Sequence, residues 1–190
     1  MEELFFDSEN YDTIDFNKTP VKKGVYDNCS FTGCNFTGTD LSGIKFLECK
    51  FSGCNLSLAK LSKTVFSDIE FKDCKMLGLR FDTCDPFNLS FLFENCSLTN
   101  STFYKITIKN TTFKNSQLTE TDFTECDLSG SVFDHCDLMG ATFENTNLEN
   151  ADLRNAFNYS IDLEINRIKK AKFSLNGLAG LLTKYDIEID

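Results

Sequence analysis

Large apolar residues recur at every fifth position along much of this chain. From Phe93 to Leu153 the series runs without an exception: Phe93, Leu98, Phe103, Ile108, Phe113, Leu118, Phe123, Leu128, Phe133, Leu138, Phe143, Leu148, Leu153. A period of five matches neither the 3.6-residue period of a helix nor the two-residue period of a strand. The pattern therefore excludes an ordinary amphipathic helix or alternating strand and indicates an internal repeat.

A chain that buries every fifth residue has to turn a corner about once per five residues. Four such sides close a square coil of twenty residues, so that residues twenty apart in the sequence stack on one another. Phe93, Phe113 and Phe133 then form one column of rings. Successive coils pair like parallel strands at ~4.8 Å spacing, which is within the range of aromatic stacking. The period predicts an all-β solenoid around a continuous hydrophobic core.

The five-residue frame divides the chain into three parts. Residues 1–25 are predicted to form an irregular N-terminal cap or first coil, residues 26–173 the regular repeats, and residues 174–190 a C-terminal module. The frame slips by two residues within 82–92, around Pro86, which cannot donate a ladder hydrogen bond. Two interpretations of this irregularity stay open, a functional hinge and an insertion that is tolerated at a corner.

The period changes after Phe173. Ser174 suits a helix N-cap, and Leu175, Leu178, Leu182 and Tyr185 follow at helical spacing, which predicts a short α-helix. Ile187 and Ile189 alternate with acidic residues as in an edge strand. These apolar residues can cap the last coil and can also pair with a second copy, so both a capped monomer and a homodimer remain possible.

The composition of each five-residue unit points to a known family. The segments 126–130 (CDLSG), 141–145 (ATFEN) and 151–155 (ADLRN) each carry a small residue, a polar residue, a central Leu or Phe and two polar or turn-forming residues. This resembles the pentapeptide-repeat family over about residues 6–173. The resemblance implies a right-handed quadrilateral β-helix of pentapeptide repeats. It leaves the function open, because a fold by itself does not fix an activity.

All nine cysteines lie two residues before a frame position. That slot is the small, inward-pointing position of the repeat, where a free thiol behaves as a small hydrophobe. With one histidine and no CxxC pair, the chain lacks zinc-ligand spacing. We therefore expect no metal site and no cofactor. Free thiols in such number favour a reducing cytoplasm.

The start of the chain and its hydropathy bear on targeting. Residues 1–7 are acidic and contain no long apolar run, so no signal peptide is expected. No stretch approaches the length of a transmembrane helix, and we expect no membrane association.

Catalytic signals are weak. The single histidine, His135, lies beside Asp134 in an outward slot. Nucleophile, phosphate-loop and metalloprotease motifs are absent, and a rod with a filled axis offers no cleft for a small substrate. The sequence therefore predicts no catalytic residues and a protein that is not an enzyme. An enzyme remains a third possibility, which a deep pocket around His135 would support.

The chain has 29 acidic and 19 basic residues and a formal net charge of −10. This balance argues against direct binding of nucleic acid, which needs clustered Lys and Arg. Residues 120–152 contain no Lys or Arg. They form either a solvated acidic surface or an interaction face for a basic partner. The predicted binding residues are Asp122, Asp127, Asp134, Asp137, Glu144, Glu149 and Asp152.

Two functions follow from the resemblance. The chain is similar to the quinolone-resistance, DNA-mimicking subgroup of the family. This likeness implies a homodimer through the C-terminal helix that binds a type II topoisomerase, DNA gyrase, and affects quinolone susceptibility. However, the chain lacks the projecting loops of that subgroup. The first block of repeats, residues 26–81, also mixes lysines with acidic residues, which favours the alternative of a protein-interaction scaffold with an unknown partner. A DNA mimic requires continuous acidic stripes from which basic residues are segregated.

Overall fold

The computed structural model describes residues 3–188, and the chain forms a parallel β-solenoid in it. One sheet contains β1 (Leu4–Asp7), β3 (Gly24–Asp27), β5 (Lys45–Leu47) and β7 (Val65–Ser67). A second sheet contains β2 (Asn10–Asp12), β4 (Ser30–Thr32), β6 (Lys50–Ser52), β8 (Ile69–Lys72), β9 (Phe91–Glu94), β10 (Thr112–Lys114) and β11 (Val132–Asp134). The predicted all-β solenoid is confirmed.

The strand register confirms the twenty-residue coil. Tyr26 pairs with Phe46, and Phe31 pairs with Phe51. Each coil has four faces, numbered here in chain order. β1, β3, β5 and β7 lie on the first face, and the second sheet lies on the second face. Single bridges join the coils on the other two faces, such as Asn35 to Asn55 on the third and Asp122 to Thr142 on the fourth.

The axis of the solenoid is filled with apolar side chains. Phe93, Phe113 and Phe133 are fully buried and stacked in one column, as the period predicts. All nine cysteines are free and buried. The Cys54 and Cys74 thiols each donate to a carbonyl oxygen of the preceding coil, at 3.3 Å. The inward slot thus satisfies the thiol without a metal or a disulfide.

The two extra residues in 82–92 affect one face only. On the second face the register changes from twenty to twenty-two residues, Phe71 pairs with Phe93, and the sheet continues. On the first face the sheet ends at β7. Leu89 is buried there and Phe91 is buried at the start of β9, whereas Phe87 projects into solvent. A 3₁₀ helix at Phe81–Thr83 overlaps the start of the irregular segment. The insertion is therefore accommodated at a corner, outside the core.

Residues 4–12, within the predicted N-terminal cap or first coil, already belong to the ladder. β1 and β2 pair in register with β3 and β4. Phe6 stacks on Tyr26 with ring centroids 4.6 Å apart. Aromatic stacking thus extends the regular coil into residues 4–12, although the small residues of the repeat are missing from much of this segment.

The C-terminal module is not the predicted α-helix. Leu175–Leu181 and Thr183–Tyr185 form 3₁₀ helices, with Ser174 as the N-cap of the first. The segment packs so closely on Tyr159 that a Cβ on Gly180 would lie 2.3 Å from the Tyr159 carbonyl oxygen. Two glycines and a short length give little intrinsic helicity, so this contact sets the tighter turn. Over residues 3–188, no helix has the length and apolar character to cross a bilayer.

Candidate protein-binding surfaces

The seven predicted acidic residues do not share one surface. Because the chain turns a corner every five residues, the run is distributed over four faces. Asp127 and Glu149 lie on the first face, Asp134 and Asp152 on the second, Asp137 on the third, and Asp122 and Glu144 on the fourth. The structure therefore does not bring them together as a stripe.

Basic residues neutralise part of this run. Lys109 pairs with Asp127 at 3.2 Å, Arg167 with Glu149 at 3.0 Å, and Arg154 with Asp152 at 2.7 Å. The Arg154 hydrogen bond holds the pKa of Asp152 below its usual range. The coil brings Lys109 and Arg167 beside their carboxylates from eighteen residues away, whereas Arg154 is two residues from Asp152 in sequence.

Other members of the run serve the backbone. The Asp122 carboxylate accepts a hydrogen bond from the Thr124 amide at 2.9 Å, and Asp137 accepts from the Met139 amide at 3.1 Å. Partial burial would raise the pKa of Asp127, but hydrogen bonds from Ser129 and Lys109 keep it below its ordinary value. These carboxylates stabilise turns of the coil, and that role explains their spacing without a partner.

A different set of carboxylates does form a line. Asp7 and Asp27 are direct neighbours in the ladder between β1 and β3. Glu48 and Asp68 occupy the next row, at the corner between the first and second faces, each with left-handed φ. None of these four takes part in an ion pair within residues 3–188. We call Asp7, Asp27, Glu48 and Asp68 the acidic edge; it places one carboxylate on each successive coil.

Sequence reasoning missed the acidic edge because it searched for consecutive acidic residues. The available signal was acidic residues about twenty positions apart, the length of one coil.

The lysines of the first block lie on different sides of the rod. Lys45 and Lys50 are ion-paired with Glu3 and Glu70, whereas Lys60 and Lys75 lie on the opposite side of the rod. The structure thus separates only part of the mixed charge, because Lys50 borders the same hollow as Glu48 and Asp68.

The C-terminal module leaves apolar side chains exposed. Leu181, which sequence reasoning did not select, is its buried anchor. The Ile161 amide also donates to the Gly180 carbonyl at 2.9 Å. Leu175 is 86% exposed. We call the outward residues Leu175, Leu178, Leu182, Tyr185 and Ile187 the C-terminal apolar surface; Leu182 is half-buried and the others are exposed. The predicted residue Ile189 lies outside the described residues.

Catalytic or metal-binding chemistry has little support in the described chain. His135 is exposed and its ring lies 2.8 Å from Asp134. Among residues 3–188, no group of three His, Cys, Asp or Glu side chains is arranged to hold a metal ion. A cleft of about 570 Å³ lies between the last coil and the C-terminal module, and its lining contains no carboxylate, histidine or lysine. The outer surfaces of the rod are therefore the better candidates for function.

Comparison with known proteins identifies the repeat. The sequence model of the pentapeptide repeat region matches residues 25–92 and 90–173. A search of curated protein sequences finds no match.

Two solved structures of QnrB1 variants show the same fold. A trypsin-treated variant of QnrB1, a plasmid-mediated fluoroquinolone resistance protein, is 19% identical with a TM-score of 0.66, over 99% of this chain and 98% of that one. A second trypsin-treated variant is 19% identical with a TM-score of 0.65 over the whole of both chains. HetL from the cyanobacterium Nostoc sp. strain PCC 7120 is 14% identical with a TM-score of 0.40, over 90% of this chain and 87% of that one.

Proposed function

Since the chain belongs to the pentapeptide repeat family, we propose that it is a non-catalytic binding protein that recognises a basic surface of a partner protein. The observation that carries this proposal is the acidic edge, Asp7, Asp27, Glu48 and Asp68, in which no carboxylate has an ion pair within the described residues. Unpaired surface carboxylates attract a basic partner without first having to break existing pairs.

DNA gyrase is the first partner to test. The acidic edge carries about one charge per ~4.8 Å of rod, whereas each strand of duplex DNA carries one per about 3.4 Å. The two charge densities are of the same order, so a protein surface that binds a phosphate backbone could accept this edge. QnrB1 is a fluoroquinolone resistance protein, and its similar fold supports a test for an effect on quinolone susceptibility.

An interaction scaffold with another partner is the second candidate. The neutralisation of Asp127, Glu149 and Asp152 by basic neighbours favours it, because these ion pairs interrupt the acidic surface in the second half of the rod. A DNA mimic that spans a long groove would need the acidic line to continue into the second half.

The proposed assembly is a homodimer through the C-terminal apolar surface. Four exposed apolar side chains next to a docked cap, Leu175, Leu178, Tyr185 and Ile187, are typical of a surface that another protein covers. Sedimentation velocity tests this: Leu175→Glu with Leu178→Glu should convert dimer to monomer, whereas Leu92→Glu, on the second face, should not. A wild-type monomer at high concentration would contradict it.

Nine free, buried thiols support a cytoplasmic location.

The gyrase test compares two variants with the same charge change at corner positions of the same backbone conformation. Glu48→Lys with Asp68→Lys alters the acidic edge, and Glu120→Lys with Glu125→Lys alters corners of the second half; all four residues have left-handed φ. Purified proteins are titrated into a gyrase supercoiling assay, with and without a fluoroquinolone. We expect inhibition or drug protection by the wild type and the second variant, and loss in the first.

Equal activity of the two variants would contradict the role of the acidic edge. If the wild type has no effect at large molar excess, gyrase is excluded and affinity capture with the same pair of variants tests the scaffold. A partner retained by the wild type and the second variant, but lost by the first, would still assign binding to the acidic edge.

A further inference from the structure

Leu58 is the one apolar non-glycine residue with left-handed φ among residues 3–188. Its φ is +58°, and the others are all polar or charged. The equivalent corners of the adjacent coils are Gly38 and Gly78. A leucine in this conformation is disfavoured by sterics, and its side chain is 65% exposed to water. The fold therefore does not account for a leucine at this position.

Leu58 forms a ridge between two shallow clefts. One cleft, of about 310 Å³, is lined by Thr37, Asn55, Lys75 and Leu77 together with Leu58. The other, of about 400 Å³, is lined by residues of the third and fourth faces that include Lys60 and Arg80. The Leu58 side chain also lies over Gly78, where a Cβ would come within 3.0 Å of it. A binding segment could thus contact Leu58 from both sides.

The rim of the ridge is mainly cationic. Lys60 and Lys75 have no ion-pair partner within the part of the chain that the structure describes. Arg80 is held by Asp82 at 2.5 Å, and Asp40 stands beside Lys60 in the preceding coil. An apolar centre with a charged rim is the usual anatomy of a protein interface.

We propose that the Leu58 ridge docks an acidic segment of a partner protein that carries an apolar side chain. Lys60 and Lys75 attract acidic residues and repel basic ones. The exposed Leu58 favours a polypeptide over a nucleic acid, because a phosphate backbone gains nothing from an aliphatic contact. This surface goes beyond the proposed function: its charge is opposite to that of the acidic edge, and it lies across the rod. Together the two surfaces let one rod hold a basic and an acidic partner at the same time.

The test uses a short fluorescein-labelled peptide of glutamate, aspartate and leucine. Its binding to the full chain is measured by fluorescence anisotropy. One control peptide has serine in place of leucine, and a second has glutamine and asparagine in place of glutamate and aspartate. A single-stranded oligonucleotide of equal charge represents nucleic acid. Leu58→Gly preserves the fold because glycine accepts the left-handed backbone. Leu92→Thr removes an exposed leucine elsewhere and is the matched control.

We expect the acidic leucine peptide to bind and both control peptides to bind more weakly. Leu58→Gly and the pair Lys60→Glu with Lys75→Glu should each weaken binding about tenfold or more, and Leu92→Thr should not. Equal binding by Leu58→Gly, tighter binding of the oligonucleotide, self-association that Leu58→Gly abolishes, or no peptide binding at millimolar concentration would each overturn the proposal. None of these variants changes the acidic edge, so a gyrase result for the proposed function stays independent.

Discussion

Phe71 and Phe93 stack across the two-residue insertion, with ring centroids 5.4 Å apart and ring planes 9° apart. The column continues through Phe113 and Phe133 at centroid distances of 5.1 and 5.0 Å. The stack keeps the second-face sheet continuous, although the sequence frame slips between these two rings. Packing of the core thus determines the register, and the extra residues are placed at the corner.

Removal of one ring from this column should strongly destabilise the rod. Phe113→Ala is expected to lower the free energy of unfolding by about 3–5 kcal/mol, because it removes buried apolar area and leaves a cavity between two rings. Phe113→Leu should cost less, about 1.5 kcal/mol or below, since leucine fills the same slot in neighbouring columns. Urea denaturation measures both. Tyr104→Ala, at an exposed site, should change stability by about 0.5 kcal/mol or less; equal losses at 104 and 113 would contradict this account.

A methyl group at Gly180 should detach the C-terminal module. The Cβ of Gly180→Ala would lie 2.3 Å from the Tyr159 carbonyl oxygen and 2.8 Å from its ring, so the segment must move. We expect faster hydrogen exchange at the Ile161 amide, which donates to the Gly180 carbonyl, and earlier proteolysis of the C-terminus. Gly38→Ala, where no atom lies within 4 Å of the added Cβ, is the control and should leave the module docked. Unchanged Ile161 exchange in Gly180→Ala would show that the contact is not needed.

The docking of this module should depend on pH through Lys184. Its ammonium contacts Asp162 at 2.7 Å and Glu164 at 2.9 Å. Hydrogen bonds from Lys184 lower the pKa of both carboxyls, and those carboxylates raise the pKa of Lys184. The carboxylate contribution is present above the ordinary pKa of about 4 and is lost as the pH falls. The lysine contribution is present below about 10.4 and is lost as the pH rises.

We therefore expect the slowest exchange of the module's amides between about pH 5 and 10, after correction for intrinsic exchange rates. Lys184→Met should flatten this profile, and Lys169→Met, on the first face, should not. A wild-type profile that is flat from pH 3 to 7 would show that these ion pairs do not hold the module.

The cysteines should be almost unreactive while the chain is folded. Burial raises the pKa of the Cys49 and Cys136 thiols to about 12, and all nine thiols are buried. At pH 8 the thiolate fraction of such a group is about a thousandfold below that of a free thiol. We expect a thiol reagent to modify the native chain slowly and all nine sites rapidly in urea. Met139→Cys, which adds an exposed thiol, should react at once in the folded protein; fast reaction of the wild type would contradict the buried inward slots.

The five-residue period by itself determined the solenoid, its column of rings and the inward place of the cysteines. These features repeat with the chain, so each unit carries the information for its own position. Tertiary structure decided which charges are neighbours, because every corner turns consecutive residues onto different faces while stacking brings residues twenty apart to ~4.8 Å. For that reason the acidic run 120–152 is divided among four faces, whereas Asp7, Asp27, Glu48 and Asp68 form a line. Close packing on Tyr159 likewise decided the 3₁₀ geometry of the C-terminal module, which local helix propensity could not predict.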